Sequence, residues 1–246
     1  MDQQFRLKRT AWFSSFRVFE GIALLAGVLA VAGCRLDNNT TGTTGPQGLI
    51  QFINAAPRYG SVSLNIDSTK VVVNQMYGTG SSIFVTALAT ARQLTVRDSA
   101  NTAALATNTL VVANQTVYTV ILTQHSVGGG LLILRDTVSA PPPNQVGLRI
   151  VNASPSAGTV DVYITGTDST LGTPNSTNVA FENASTYVNV PTGGVVRLRV
   201  TAAGTKTVLL DVDASQLSPG QVRTVLIKDT VGGGLPVTWL SVPDRG

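Results

Sequence analysis

The chain holds one histidine, His125, the side chain best suited to acid–base chemistry near neutral pH. A Ser-His-Asp hydrolase would need this imidazole as its base, with Asp136 or Asp98 to orient it. His125 instead precedes a run of glycines typical of a hairpin, and no G-x-S-x-G or similar nucleophile motif occurs. We expect no catalytic residue, and a hydrolase with an unusual site is a remote alternative.

Metal ligands are equally scarce. One histidine and one cysteine cannot supply the ligands of an ordinary zinc site. Asp211 and Asp213 lie two residues apart and share one face of a predicted strand, and Asp168 lies in a loop rich in Gly, Thr and Asp. Since no D-x-D-x-D-G loop is present, solvated side chains explain these carboxylates better than half of a calcium site. We expect no metal and no cofactor.

Two glycine triplets, at 128–130 and 232–234, follow predicted strands and open no helix. They therefore indicate flexible hairpin loops and not phosphate cradles. Matching the two triplets requires an offset of 104 residues, which also aligns His125 with Asp229. Aromatic side chains can recognise a sugar or a protein partner by stacking, and the candidates here are Tyr59, Tyr77, Tyr163 and Trp239. The alternative is that these rings pack under a sheet edge.

The N-terminus reads as a targeting segment. It combines an apolar run at 22–32, too short for a comfortable membrane span, with a positive region made by Arg6, Lys8, Arg9 and Arg17. The run ends in Val31-Ala32-Gly33-Cys34, which resembles the bacterial lipobox. The resemblance implies a signal peptide at 1–33, cleavage between Gly33 and Cys34, and acylation of Cys34.

Two or more acyl chains anchor a protein stably, so membrane attachment through the lipid on Cys34 is expected. Residue 35 is Arg, not the Asp of an inner-membrane retention signal, which favours the outer membrane and leaves its periplasmic or surface face open. Residues 34–47 form a flexible tether rich in Asn, Thr and Gly. Cys34 is the sole cysteine, so an internal disulfide is ruled out.

A strand, a corner and a second strand occur twice, as INAAPRYGSVSLNI at 53–66 and VNASPSAGTVDVYI at 151–164. Asparagine can bond its own backbone two residues on, proline suits a turn, and glycine adds backbone freedom, so the motif predicts a structural β-corner. A ligand-facing loop carrying the carboxylate is the alternative. The repeated positions, offset by 98, are Asn54, Pro57, Gly60, Asn152, Pro155, Gly158 and Asp161.

Short alternating segments with turn signals between them predict an all-β chain. They lie near 49–54, 61–66, 69–73, 82–88, 92–98, 104–112, 116–123 and 130–135, and again near 146–152, 159–165, 177–181, 186–190, 195–202, 206–212, 221–228 and 235–242. The expected fold is two tandem immunoglobulin-like antiparallel β-sandwiches, each with one apolar core, at 48–139 and 146–246. The prolines at 140–145 form the expected linker. The second copy gains about six residues at 166–176.

Composition agrees with an exported β-protein. The chain is 43% hydrophobic and only 12% charged, with 24 glycines, which is not a disordered composition. The formal net charge is +4, without a basic stripe interleaved with aromatics, so nucleic-acid binding is not expected.

These motifs resemble the bacterial envelope family called domain of unknown function 4397. Its hallmark is Asn-Ala-x-Pro after a strand and then Val-Asp-Val-Tyr-Val, seen here as RIVNASP at 149–155 and VDVYI at 160–164. Further matches are Tyr187, VPTG at 190–193, LRV at 198–200 and YTV at 118–120. The first copy has VTAL at 85–88 in place of the Val-Pro-x-Gly turn, and the second has RTV at 223–225 in place of YTV.

The resemblance covers both copies and implies β-sandwich modules on exported, often lipid-anchored proteins, without established catalytic residues. The sequence therefore favours a non-catalytic binding or adhesion module of the cell envelope, with a glycan or protein ligand. A periplasmic structural or assembly scaffold is the alternative.

Overall fold

The structure, a computed structural model, describes residues 45–80, 83–99, 103–137, 139–166, 170–192 and 196–245. The expected signal peptide, Gly33, Cys34, Asp168 and most of the tether lie outside the described residues. Within these ranges, no helix is both long enough and apolar enough to cross a membrane. Thr43–Gly246 form one compact unit.

The regular structure of the described residues is entirely β. The first nine strands are β1 (Gln47–Asn54), β2 (Ser61–Ile66), β3 (Thr69–Met76), β4 (Thr79–Gly80), β5 (Val85–Leu88), β6 (Ala91–Asp98), β7 (Ala104–Val111), β8 (Val117–Gln124) and β9 (Gly129–Asp136). The next nine are β10 (Gln145–Asn152), β11 (Val160–Gly166), β12 (Ser176–Val179), β13 (Asn183–Ala184), β14 (Val188–Pro191), β15 (Val196–Ala202), β16 (Val208–Asp213), β17 (Val222–Lys228) and β18 (Thr238–Pro243).

Each set of nine strands forms two sheets with the same order. In the first sandwich the sheets are β4-β1-β8-β9, with β5 also paired to β1, and β3-β2-β6-β7. In the second they are β13-β10-β17-β18, with β14 also paired to β10, and β12-β11-β15-β16. The expected all-β sandwich fold is confirmed, and the loop that lengthens the second sandwich joins β11 to β12.

The sheets are antiparallel-rich but not purely antiparallel. β1 runs parallel to β8, with Ile53 opposite Ile121, and β10 runs parallel to β17, with Val151 opposite Leu226. Parallel neighbours need a long crossover connection. Six strands separate β1 from β8 along the chain and supply it.

Each sandwich has its own apolar core between its two sheets, as alternation in the strands predicts. Phe52, Leu64 and Val120 belong to the first core, and Ile150, Val162 and Val225 belong to the second. All of these side chains are inaccessible to solvent.

A third core lies between the sandwiches and was not expected. Ile53 and Ile121 of the first sandwich pack with Val151 and Leu226 of the second. These residues alternate along their strands with residues of the other two cores, so their side chains project from the opposite faces of the same sheets. The two sheets that contain β1 and β10 are therefore covered on both faces, and all eight residues of β8 are buried.

Candidate functional site

The first corner follows β1 and is held by Asn54. Its Nδ2 donates to the carbonyl oxygens of Tyr59 at 3.0 Å and Gln75 at 3.2 Å. Its Oδ1 accepts from the backbone N–H of Ala56, two residues on, at 3.1 Å. The asparagine is fully buried, so these bonds satisfy it and fix the corner.

The second corner follows β10 and uses the same device. Asn152 Nδ2 donates to the carbonyl oxygens of Gly158 at 2.6 Å and Val179 at 3.0 Å. Its Oδ1 accepts from the N–H of Ser154 at 3.1 Å. Both corners lie at the same end of the molecule, here called the corner end; the opposite end, where β1 and β10 begin, is the linker end.

The two corners converge on one pocket of about 410 Å³. The corners contribute Pro57, Arg58, Pro155 and Ser156. The loops that follow β8 and β17 contribute Gln124, His125, Ser126, Asp229, Gly232, Gly233 and Gly234. Both copies of the duplicated motif and the second glycine triplet, which are far apart in sequence, thus line a single pocket.

Strand pairing corrects the expected alignment of His125 with Asp229. Because Ile121 and Leu226 occupy equivalent positions, the offset in β8 and β17 is 105 (226 − 121). Gln124 is therefore the equivalent of Asp229, and the offset of 104 taken from the glycine triplets does not hold here. The first loop is shorter: Gly129 and Gly130 already belong to β9, whereas Gly232–234 remain in a loop. The expectation that both triplets are hairpin loops is correct for the second alone.

Asp229 fastens its corner to its loop. Its Oδ1 accepts from Ser154 Oγ, and its Oδ2 accepts from Ser156 Oγ at 2.7 Å and from the N–H of Gly234 at 3.0 Å. The residue is 2% exposed. Because both oxygens accept from protein donors and the residue is buried, this carboxylate shapes the pocket wall.

Gln124 performs the same task in the first sandwich with an uncharged amide. Its Oε1 accepts from the N–H of Arg58 at 3.3 Å, and its Nε2 donates to the carbonyl of His125 at 2.6 Å. The Arg58 side chain is exposed and donates from Nη1 to the carbonyl of Ser126 at 3.1 Å. The two halves of the pocket are thus alike in backbone and different in charge.

Near the pocket, one turn of each sandwich contacts the other sandwich. Tyr77, in the turn after β3, donates its hydroxyl to the carbonyl of Asp229, and Lys228 Nζ lies 4.5 Å from the Tyr77 ring centroid. Burial, and secondarily the charge of Asp229, raise the pKa of Tyr77. Burial lowers the pKa of Lys228.

The equivalent turn of the second sandwich carries Phe181 and Glu182. Glu182 Oε1 accepts from Thr123 Oγ1 and lies 2.8 Å from His125 Nε2. The Phe181 and His125 rings meet edge to face with centroids 6.1 Å apart. The sole histidine therefore joins the two sandwiches.

Asp136 and Asp98 do not orient this histidine. Asp136 pairs with Arg149 towards the linker end, and Asp98 ends β6 in the other sheet. The Ser156 hydroxyl in the pocket bonds Asp229, whereas His125 Nε2 contacts Glu182, so the structure shows no nucleophile–base hydrogen bond between them. No group of three His, Cys, Asp or Glu side chains able to hold a metal occurs among the described residues.

The aromatic candidates pack against the protein interior, which is the alternative to stacking on a sugar or a protein partner. Tyr163 is buried at 2% exposure, under Lys206. Tyr59 and Trp239 are partly buried against the first and second cores, and Tyr77 lies between the sandwiches. The aromatic rings are held by the apolar interior, so the described residues offer no flat exposed ring for a sugar.

Asp161 is structural in its contacts. It is 5% exposed, and its two oxygens accept from the N–H groups of Asn178 and Gly204, both at 2.8 Å. It lies away from the pocket lining and secures β12 and the turn after β15.

The two aspartates considered as half of a calcium site, Asp211 and Asp213, bond to protein groups. Asp211 pairs with Arg197 at 2.5 Å, and Asp213 accepts from the N–H of Ser215 at 2.7 Å.

A charged cluster is buried between the sandwiches towards the linker end. Arg149 Nη2 donates to Asp136 Oδ1 at 2.7 Å and lies 3.7 Å from Asp244 Oδ1. Asp244 Oδ2 accepts from the hydroxyls of Tyr187 and Thr224, both at 2.8 Å. Two carboxylates thus share one guanidinium, and Asp244 Oδ1 has no hydrogen-bond partner.

Burial governs the ionisation of this cluster. It raises the pKa of Asp136 to about 6, against the opposing effect of Arg149 and with help from Asp244. Burial also raises the pKa of Asp244 and of Tyr187. Sequence reasoning missed the cluster, although Arg149 within the otherwise apolar strand β10 was a signal for a buried ion pair.

Taken together, the geometry defines a pair of packed β-sandwiches with one pocket formed by repeated corners. A sequence model of the family described as domain of unknown function (DUF4397) matches residues 48–163, so a DUF4397 domain is found there. The match spans the first sandwich and reaches through the second corner into β11.

No curated protein matches the chain. Among solved structures, the carbohydrate-binding module CBMbc (family CBM26) of Eubacterium rectale Amy13K, in complex with maltoheptaose, is 14% identical, with a TM-score of 0.27 over 81% of this chain and 98% of that one. A candidate adhesin from Bacteroides ovatus is 10% identical, with a TM-score of 0.22 over 82% of this chain and 95% of that one. Similarities this low have no bearing on a ligand.

Proposed function

We propose that this protein is a lipid-anchored component of the bacterial cell envelope that acts as a non-catalytic binding or adhesion module, with the corner-end pocket as its ligand site. One observation carries the proposal: two copies of a corner, fixed by equivalent asparagines, meet at a single pocket whose two halves differ in charge. Pockets formed where repeats or domains meet are common ligand sites.

The proposed anchor is the lipid on Cys34, at the outer membrane. The chain enters the first sandwich at Gln47, at the far end of β1 from the first corner. At about 3.3 Å per residue, the eight residues of β1 span roughly 23 Å. The proposed tether would therefore join the first sandwich at the linker end, at the far end of β1 from the pocket. The second sandwich is proposed to be a second copy of the same domain, because its strand order is the same.

Filling the pocket tests the binding function. Ser126→Trp places a large ring on an exposed pocket residue, and Thr109→Trp makes the same change at an exposed position of β7. Labelled full-length protein would be applied to glycan and peptide arrays. We expect Ser126→Trp to weaken binding about tenfold or more, with Thr109→Trp unchanged. Equal binding by both variants would reject the pocket as the site.

Anchoring and location are tested on cells. Mass spectrometry of the mature N-terminus should find acylated Cys34, and Cys34→Ser should release the protein from membranes. Protease treatment of intact cells then separates two outcomes. Degradation supports adhesion at the cell surface, whereas protection until the outer membrane is permeabilised supports the alternative of a periplasmic scaffold.

The scaffold alternative has its own structural support. Val127, Val231 and Leu235 are 87%, 84% and 55% exposed, and each adjoins a pocket residue in the chain. An apolar rim of this kind suits contact with another protein. Crosslinking from position 127 would be expected to give one defined product in a scaffold.

A further inference from the structure

The charges around the pocket are unequally matched. Asp229 is 2% exposed and accepts from two hydroxyls and one N–H, and Glu182 contacts His125. Lys228 is 7% exposed, lies over Tyr77 and is adjacent to Asp229 in the chain. Arg58 is the exception, because its exposed guanidinium bonds only a neutral carbonyl among the described residues. Among the charged side chains of the lining, Arg58 is therefore the one that is exposed and has no ionic partner among the described residues.

Apart from His125 and Asp229, the residues that share the pocket lining with Arg58 are apolar or uncharged. Pro57 and Pro155 contribute apolar walls, one from each corner, and the glycines of the second loop offer backbone without side chains. The rim residues Val127, Val231 and Leu235 project into solvent. A ligand that satisfies this surface carries an anionic group next to aliphatic groups.

The same surface suits a sugar poorly. Sugar rings pack their C–H faces on flat aromatic rings, and no Phe, Tyr or Trp side chain contributes to the pocket lining described above. A carboxylate, by contrast, matches the forked donors of a guanidinium. Aliphatic neighbours of that carboxylate would cover the valines and prolines.

We propose that the pocket binds a polypeptide segment in which an Asp or Glu side chain is flanked by aliphatic residues, with Arg58 as the counter-ion of the carboxylate. This inference rests on the proposed binding function and specifies its ligand. Arg58 holds the acidic side chain, and the proline walls and the apolar rim contact its neighbours.

The test uses full-length protein in detergent on an array of pentapeptides. The central residue is Asp or Glu in one set and Asn or Gln in the other, with flanks drawn from Val, Leu and Ala. We expect the acidic set to bind about tenfold more strongly, and Arg58→Gln to abolish that preference while Arg58→Lys retains some of it. Lys70→Gln, which removes the same charge from an exposed position in β3, should leave the preference intact.

Equal binding of acidic and amide peptides, or an unchanged preference in Arg58→Gln, would overturn the inference. A parallel glycan array separates its failure from that of the proposed function. Binding to glycans alone, lost in Ser126→Trp, would reject the polypeptide ligand and keep the binding module. Absence of binding on both arrays would count against the polypeptide ligand and the binding function together.

Discussion

At the scale of single residues, the buried polar groups fall into two kinds. Asn54, Asn152 and Asp161 bond only within their own sandwich and fix corners and edges. Arg149 and Glu182 bond across to the other sandwich. If the sandwiches packed in another position, Arg149 and Glu182 would be left without their partners. Burial of unpaired charged groups costs free energy, so we infer that these two residues specify how the sandwiches pack together.

Replacing Arg149 tests this role. Arg149→Met leaves Asp136 and Asp244 buried without a cation, and we expect a loss on the order of 3 kcal/mol in the free energy of unfolding. Arg197→Met, which removes a half-exposed partner of Asp211, should cost less than about 1 kcal/mol. Urea denaturation measures both, and equal small losses would show that the buried cluster is dispensable.

The same cluster predicts a pH dependence. The pKa of Asp136 is raised to about 6 from 3.8, so the folded protein holds a proton that the unfolded chain has released between these values. The resulting stability is present below pH 3.8 and is lost as pH rises through about 6. Asp67 and Asp213 have lowered pKa values, so their opposite effect lies below pH 3.8.

Urea midpoints measured from pH 4 to 7 should therefore fall as pH rises. Asp136→Asn keeps the side-chain shape and removes the titration, so its midpoint should vary less over this range. A wild-type midpoint that rises between pH 4 and 6.5 would contradict the assigned direction.

At the scale of elements, alternation and turn residues were enough to locate the longer strands, because each has one face on a sandwich core. The two-residue strands β4 and β13 were missed, since so short a segment carries no pattern. The third core was also missed. The run VYTVILTQ in β8 is apolar on both faces, a signal of burial on both sides, but sequence alone does not name the covering surface.

The pocket was only partly predictable. The repeated corner could be read from Asn, Pro and Gly, but its approach to the other corner depends on the third core. The equivalence of Gln124 and Asp229 was hidden because the loops after β8 and β17 differ in length, and similar glycine triplets suggested a false offset.

Each corner should depend on its asparagine. Asn152→Ala leaves two carbonyls and one N–H without their buried partner, and we expect a loss of roughly 3 kcal/mol. Asn189→Ala, at an exposed position of β14, should cost under about 0.5 kcal/mol. Thermal unfolding compares them, and similar melting temperatures would refute the role of the corner amide.

The start of β9 has a steric requirement at Gly130. A Cβ there would approach His125 Nε2 and Thr123 Oγ1 at 2.7 Å each, whereas a Cβ on Gly172 meets nothing within 4 Å. Gly130→Ala should therefore destabilise the protein by about 1–3 kcal/mol, and Gly172→Ala should have little effect. Denaturant titration of the two variants measures these losses. If Gly130→Ala is as stable as Gly172→Ala, the His125 and Glu182 side chains move apart at little cost in free energy.

At the scale of the whole molecule, the third core joins the two sandwiches. Ile121→Ala removes part of the apolar side chain that the first sandwich contributes to the third core. We expect a loss of about 2–4 kcal/mol in the free energy of unfolding. Native-state hydrogen exchange should show reduced protection in β17 as well as in β8. Unchanged exchange in β17 would mean that the sandwiches unfold separately.

The parallel pairing of β1 with β8 has a mechanical consequence. In the proposed function, a ligand bound by the loops after β8 and β17 would pull at the corner end. A tether joined through Gln47 would pull β1 in the opposite direction, at the linker end. The force would then act in shear along the ladder between β1 and β8. The six residue pairs of this ladder would bear the force together and would not separate one after another. Stretched in this direction, the first sandwich should yield in a single abrupt, high-force step, a property that would suit the adhesion proposed above.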